Sequence, residues 1–115
     1  MGEIVYKIVR GWEWAEAEKS GVFTGSADDK RDGFIHLSAA HQVGATFDRY
    51  FRDENNPWLI LLDSERFGPA LKWEVSRRGE KFPHLYGTFA VGDAEKVVAI
   101  DRDGDGRPIF PPEIA

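Results

Sequence analysis

Trp58-Leu59-Ile60-Leu61-Leu62 is the longest unbroken apolar run in the chain, and it limits the fold more than any other feature. A short segment with no polar face, set between the turn Asp53–Pro57 and the turn that opens at Ser64, reads as a strand buried on both sides. Such a strand is predicted to be central in its sheet. The rest of the chain must then supply neighbouring strands and a layer over each face. The same run is far too short to cross a bilayer.

The flanking patterns supply those parts. Residues 3–9 alternate as a first strand, with Ile4, Tyr6 and Ile8 on one face. Residues 12–20 are rich in Ala and Glu and read as a helix stopped by Gly21. Residues 24–33 read as a polar loop, and residues 34–37 as a short strand. Ser38 is placed to cap a helix that runs to about Arg52, with the stripe Val43, Phe47, Tyr50 and Phe51 facing inward. Leu71, Trp73 and Val75 alternate with Lys72, Glu74 and Ser76, which predicts a strand with its apolar members, Trp73 among them, in the core. Residues 77–87 read as a long connection. Residues 88–91 and 96–101 read as two more strands, and residues 104–115 as an extended tail. The order predicts an α+β fold: one domain over residues 1–115, with a split or strongly bent, mostly antiparallel sheet and two helices.

Composition narrows the functions. With 115 residues, 42% hydrophobic content and four tryptophans the chain suits one folded domain. There is no cysteine, which excludes disulfides, thiolate metal sites and cysteine nucleophiles. The net charge of −5 argues against an extended nucleic-acid surface, although a local basic pocket for a small anion remains open. Arg77-Arg78 is an adjacent arginine pair and reads as a solvated turn or as part of such a pocket. Met1-Gly2-Glu3 runs straight into a strand pattern, so the expectation is a cytoplasmic protein with no signal peptide and no membrane span.

Two motifs carry the chemistry: Gly33-Phe34-Ile35-His36-Leu37-Ser38 and Phe82-Pro83-His84-Leu85-Tyr86-Gly87. Each sets one imidazole near a hydroxyl and frames it with apolar residues and a glycine. Imidazole is the side chain best suited to proton transfer near neutral pH. With three histidines in all, two in matching settings predict one shared cleft. Period two places His36 and Ser38 on the same side of their strand. Glu74, between Trp73 and Val75, reads either as a carboxyl of raised pKa able to act as acid or base, or as a solvated outward residue. His36, Glu74 and His84 together would make a two-histidine, one-carboxylate metal site, although no metal is expected. His41 reads as a surface residue. Asp101-Arg102-Asp103-Gly104-Asp105-Gly106 imitates the start of a calcium loop, but its twelfth position is Pro112, so it reads as an acidic turn.

Beyond these readings, Tyr6-Lys7-Ile8, Gly21 to Ser26, Asp32 to Ser38, Trp73-Glu74 and Phe82 to Gly87 resemble the uncharacterised bacterial domain-of-unknown-function family 952, over roughly residues 4–100. The resemblance implies an ADP-ribosyltransferase-like fold, in which a split sheet grips NAD. It implies that His36 contacts a ribose, that Ser38 contacts the ribose or a phosphate, and that His84 or Tyr86 sits near the nicotinamide or the reacting phosphate. Transferases of that superfamily place a glutamate on a late strand; here Glu74 precedes the second motif and Glu95 follows it in a turn. The expectation is a pocket for NAD, ADP-ribose or a related phosphorylated nucleotide lined by His36, Ser38, His84 and Tyr86. If the chain is a transferase, His36, His84 and Glu74 are the catalytic candidates. The alternatives are a sensing module without turnover and the metal-dependent enzyme.

Overall fold

In the computed structural model, which describes residues 2–114, the first half of the chain forms β1 (Ile4–Arg10), α1 (Gly11–Ser20), β2 (Val22–Phe23), α2 (Ala27–Asp32), β3 (Ile35–His36) and α3 (Val43–Tyr50). The second half forms β4 (Pro57–Asp63), β5 (Leu71–Val75), β6 (Lys81–Leu85), β7 (Phe89–Ala90), β8 (Lys96–Ala99), β9 (Asp101–Arg102) and β10 (Pro108–Ile109). Met1 and Ala115, the two ends of the sequence reading, lie outside the described residues.

The apolar run sits where its composition demands. β4 lies between β1 and β8 in an antiparallel sheet of order β1-β4-β8. Alternation divides its side chains between two cores. Ile60 and Leu62 join Val5 and Val9 on one face; Leu59 and Leu61 join Tyr6 and Ile8 on the other. Each fully buried side chain of this kind contributes roughly 1.5–3 kcal/mol relative to exposure. The first core is covered by Trp14 and Ala17 of α1, by Phe23 and Phe89 of the β2–β7 pair, and by Ile35, Leu37 and Leu85. The second is covered by Val43 and Phe47 of α3, with Phe51 and Ile100.

A second antiparallel sheet, of order β3-β6-β5, leans on the first. The two are joined at one bridge, where Tyr6 and Ser38 exchange backbone hydrogen bonds of 2.8 Å in both directions. The molecule is thus a mixed α/β domain with antiparallel sheets, as expected, but several elements differ from the sequence reading.

Residues 24–33 are not all loop. Ser26 caps a third helix, α2, with Oγ accepting from Asp29 N–H at 3.2 Å while the Asp29 carboxylate accepts from Ser26 N–H at 2.8 Å. This reciprocal pair stabilises a helix too short to hold by propensity alone. Ser38 does not cap a helix, because its backbone is taken by Tyr6; a 3₁₀ turn at Ala40–Gln42 intervenes before α3. Gln42 secures that turn, accepting from Ala39 N–H and donating to the Lys81 carbonyl. Tyr50, expected on the inner stripe, is exposed.

The expected connection 77–87 contains β6, the central strand of the second sheet. Pro83 hides it, since proline cannot donate to a ladder. Here the β3 pairing stops at His36–His84, one position short of Pro83, whose carbonyl accepts from Leu37 N–H at 3.0 Å. The expected inward face of β5 is also corrected. Leu71 still packs on the first core, but β5 is an edge strand that runs past the covering layer. Trp73 is therefore 38% exposed and Val75 64%, and Trp73 is not a core residue. Trp58 is half-buried against the first core. The tail is a hairpin of β9 and β10 followed by a 3₁₀ turn at Pro112–Ile114, rather than an extended strand.

Candidate functional site

His36 and His84 are partners in the β3–β6 ladder, so both rings stand on the same face of the second sheet. Their centroids are 5.8 Å apart and their planes meet at 71°. Phe34 completes a cluster of three rings, stacked on His84 at 4.1 Å and tilted against His36 at 4.7 Å. The shared setting expected from the two motifs is present, but the two rings are held in different ways.

Two carboxylates of α2 hold His36. Nδ1 lies 2.6 Å from Asp29 Oδ1 and Nε2 lies 2.9 Å from Asp32 Oδ2. A neutral ring donates from one nitrogen only, whereas an imidazolium satisfies both acceptors. Gly33 makes this geometry reachable: at φ 86 it ends α2 and folds the chain back so that Asp29 and Asp32 meet the strand that follows.

Asp29 is the anchor of this half. It is buried and also accepts from His36 N–H at 3.0 Å and from the Lys7 ammonium at 3.0–3.1 Å. Burial acts to raise its carboxyl pKa. The His36 side chain, the Lys7 charge and the backbone donors of His36 and Ser26 outweigh burial and hold it well below the usual carboxylate range. Lys7 is buried as well, and its ammonium also donates to the His36 carbonyl at 3.0 Å. The sequence reading missed both residues. Their signals were the Ser26-x-x-Asp29 capping spacing and a lysine on the core-facing side of an apolar strand.

His84 is buried and oriented from one side. Its Nδ1 lies 2.8 Å from Glu74 Oε1, and Tyr86 donates its hydroxyl to the same oxygen at 2.8 Å. Glu74 is half-buried, and hydrogen bonds from His84 and then Tyr86 lower its pKa, with the opposite sign to the raised value entertained from its aromatic neighbours in sequence. Tyr86 is raised in return, by its bond to Glu74. His84 Nε2 has no protein partner among the described residues, and no buried side-chain nitrogen or oxygen lacks one, so Nε2 reaches solvent.

Both imidazoles line a cleft of about 310 Å³ that also contains Ser38, Thr46 and Arg77. It opens where the two sheets part. Because Tyr6 bonds Ser38, the alternation of the ladder points the Ile8 amide and carbonyl the same way, along an edge that β3 does not reach, and Ile8 lines the cleft. Ser38 Oγ lies 3.2 Å from Thr46 Oγ1, which accepts from Arg77 Nη2 at 2.8 Å. The Arg77 guanidinium rests on the Phe82 ring at 4.7 Å. Arg77 forms no ion pair among the described residues, so the cleft has one cation free to meet an anion.

The other candidates fall elsewhere. Tyr86 touches Phe34 and Glu74 on the outer side and is not part of the cleft wall. His41 is exposed and pairs with Glu80 at 3.0 Å. Glu95 pairs with Arg66 at 3.0 Å, outside the cleft. Among the described residues no three His, Asp or Glu side chains converge as a metal centre; Glu74 instead holds His84 by a hydrogen bond. In the acidic turn, Asp103 Oδ1 accepts from the amides of Asp105 and Arg107, which ties it to the β9–β10 hairpin.

These features define a small antiparallel α/β domain whose two sheets part around a histidine-lined cleft. The chain belongs to the family described as "Protein of unknown function (DUF952)", whose profile matches residues 8–99. No curated protein matches it. The crystal structure of protein CC0527 from Caulobacter crescentus is similar, at 43% identity and a TM-score of 0.86, covering 92% of this chain and 93% of that one. The solution NMR structure of CC0527 is similar at 44% identity and a TM-score of 0.82, covering 91% and 90%. No helix among the described residues is long and apolar enough to cross a membrane.

Proposed function

We propose that the cleft binds a phosphorylated nucleoside, with NAD and ADP-ribose as the first candidates. The observation that carries this reading is the pairing of two unlike groups in one cleft. The His84 Nε2 is oriented from behind by Glu74, and the Arg77 guanidinium is free of carboxylates. A ribose supplies hydroxyls for the first, and a phosphate supplies the anion for the second. Ser38, Thr46 and the Ile8 edge amide add neutral donors between them. A volume of about 310 Å³ suits a nucleoside phosphate.

The ADP-ribosyltransferase-like reading of the fold draws on the sequence resemblance and on the parting of the sheets beside β1. The chemistry that suits the cleft is transfer at the ribose attached to nicotinamide. Nicotinamide would leave as the hydroxyl of an acceptor or of water bonds to the ribose carbon, and His84 Nε2 would take up the proton of that hydroxyl, with Glu74 orienting the ring. A sensing role without turnover has one observation in its favour. Glu74 is committed to His84 and Tyr86, and Glu95 to Arg66, so neither resembles a free late-strand glutamate.

Calorimetric titration of NAD and ADP-ribose into the wild type and His84→Gln tests the reading. Binding to the wild type that weakens with His84→Gln supports it; each lost hydrogen bond costs about 0.5–1.5 kcal/mol. A folded wild type that binds neither ligand overturns it. Single-turnover consumption of NAD separates the transferase from the sensor.

A further inference from the structure

Arg77 stands on the boundary between two depressions. Beyond it lies a broader groove of about 980 Å³, which shares Tyr50, Arg77 and Phe82 with the histidine cleft. Arg49 and Arg78 also line this groove. Arg10, Arg31, Arg52 and Arg66 each pair with a carboxylate, whereas Arg49, Arg77 and Arg78 pair with none among the described residues. In a chain of net charge −5, three arginines without a carboxylate partner line one groove; Arg102 and Arg107 also lack one among the described residues but lie outside the groove.

The acidic residues along the same groove do not cancel them. Asp48 is held by Arg52 and Glu54 by Arg10, which leaves Asp53 and Glu80, the latter hydrogen-bonded to His41, opposite three arginines. Two of the three arginines are also held by neighbouring side chains. The guanidinia of Arg49 and Arg77 each lie 5.5 Å from the centre of the Tyr50 ring, and Arg49 Nε donates to the Tyr50 hydroxyl at 3.1 Å. Arg77 is further held by Phe82 and Thr46. Arg78 adopts φ 58, a left-handed conformation that a non-glycine residue holds only against strain. The guanidinium groups of Arg49 and Arg77, with unused N–H donors and aromatic rings beside them, are preorganised for the oxygens of a phosphate, and the exposed Arg78 adds a third guanidinium to the same groove.

We propose that Arg49, Arg77 and Arg78 form an anion subsite that takes a diphosphate or terminal phosphate group. The proposal deepens the reading of the cleft, on which it rests for the rest of the ligand: the nucleoside end enters between the sheets and the phosphate end lies in the groove. The shared chemistry admits a free polyphosphate or the diphosphate of a nucleotide.

The test titrates inorganic pyrophosphate and, separately, ADP-ribose into the wild type, Arg49→Ala, Arg78→Ala, His84→Gln and the control Arg66→Ala, whose fold is checked by thermal melting. Saturable pyrophosphate binding that weakens roughly tenfold in Arg49→Ala and in Arg78→Ala, while Arg66→Ala and His84→Gln match the wild type, is the expected result. Weaker ADP-ribose binding in the same arginine variants assigns the source to a nucleotide; loss of pyrophosphate binding alone assigns it to a free polyphosphate. Absence of saturable pyrophosphate binding, or equal weakening by Arg66→Ala, overturns the subsite. Failure of the cleft reading is distinct: pyrophosphate binds, but no nucleotide is sensitive to His84→Gln.

Discussion

His36 and His84 face each other across one rung of a β-ladder, with ring centroids 5.8 Å apart, yet one ring is held at both nitrogens and the other at Nδ1 only. Two motifs that look equivalent in sequence therefore have different parts. His36 is a fixed wall of the cleft. His84 is the ring with a nitrogen to offer.

This asymmetry has a spectroscopic consequence. With Glu74 accepting from Nδ1–H, neutral His84 should populate the Nδ1–H tautomer and keep its lone pair on Nε2. Long-range proton–nitrogen correlation spectra should show that tautomer in the wild type and a mixture in Glu74→Gln. Dominance of the Nε2–H form in the wild type would contradict the geometry.

The depressed Asp29 carboxyl makes stability depend on acid. An unfolded aspartate takes up its proton near pH 3.9, while the folded one resists protonation to lower pH. Between the two values the unfolded state binds more protons, so stability rises with pH there. The contribution of Asp29 is complete above about pH 4 and is lost as pH falls through the folded value. Denaturant titrations from pH 7 to pH 2 should show this loss, and Asp29→Asn should flatten it.

Removing the charge of Asp29 also strands Lys7. Asp29→Asn should cost about 3–5 kcal/mol, because a buried ammonium loses its anion. Lys7→Met combined with Asp29→Leu should recover a large part of that cost. If the double variant is no more stable than Asp29→Asn, the loss comes from the α2 cap and His36 rather than from the stranded charge.

The tryptophans should divide by position. Trp14 is 4% exposed in the first core, so Trp14→Ala should cost about 3–5 kcal/mol. Trp73 lies on the β5 edge, and Trp73→Ala should cost about 1 kcal/mol or less. Chemical denaturation of both variants checks the order; a reversal would put Trp73 in a core.

At Gly33 an added Cβ meets nothing within 4 Å, so any penalty is conformational. Gly33→Ala should lose about 1–2 kcal/mol from the left-handed backbone alone, and Gly33→Asn less. Equal stability of all three would mean that the turn relaxes to another conformation.

What was legible in the sequence follows from periodicity. The unbroken Trp58–Leu62 run located the central strand, and the alternation of residues 3–9 located its neighbour, because burial on one or both faces leaves a direct trace. The histidine motifs pointed to one site because two of only three histidines stand in matching apolar, glycine-flanked settings, even though the second motif reads as a connection. Other features left no such trace. β6 was masked by Pro83, which reads as a breaker unless the end of the β3 ladder is known. β5 alternates as though buried, and its edge position, a tertiary fact, overrides that pattern. Asp29 and Asp32 sit in a stretch that looks like polar loop; their meeting with His36 depends on a six-residue helix and one glycine turn. Arg77 looked like a turn residue until its lack of a carboxylate partner could be seen.

The convergence on Asp29 bears on how a ligand would arrive. Lys7 from β1, the capped start of α2 and His36 from β3 all end at one pair of oxygens. The rotamer of His36 is therefore settled during folding. Association need not freeze that side chain again, so its entropic cost falls mainly on the incoming molecule. A receptor built this way behaves as a stiff mould: substitutions at Asp29 should slow recognition by loosening the mould, even though Asp29 need never touch the guest.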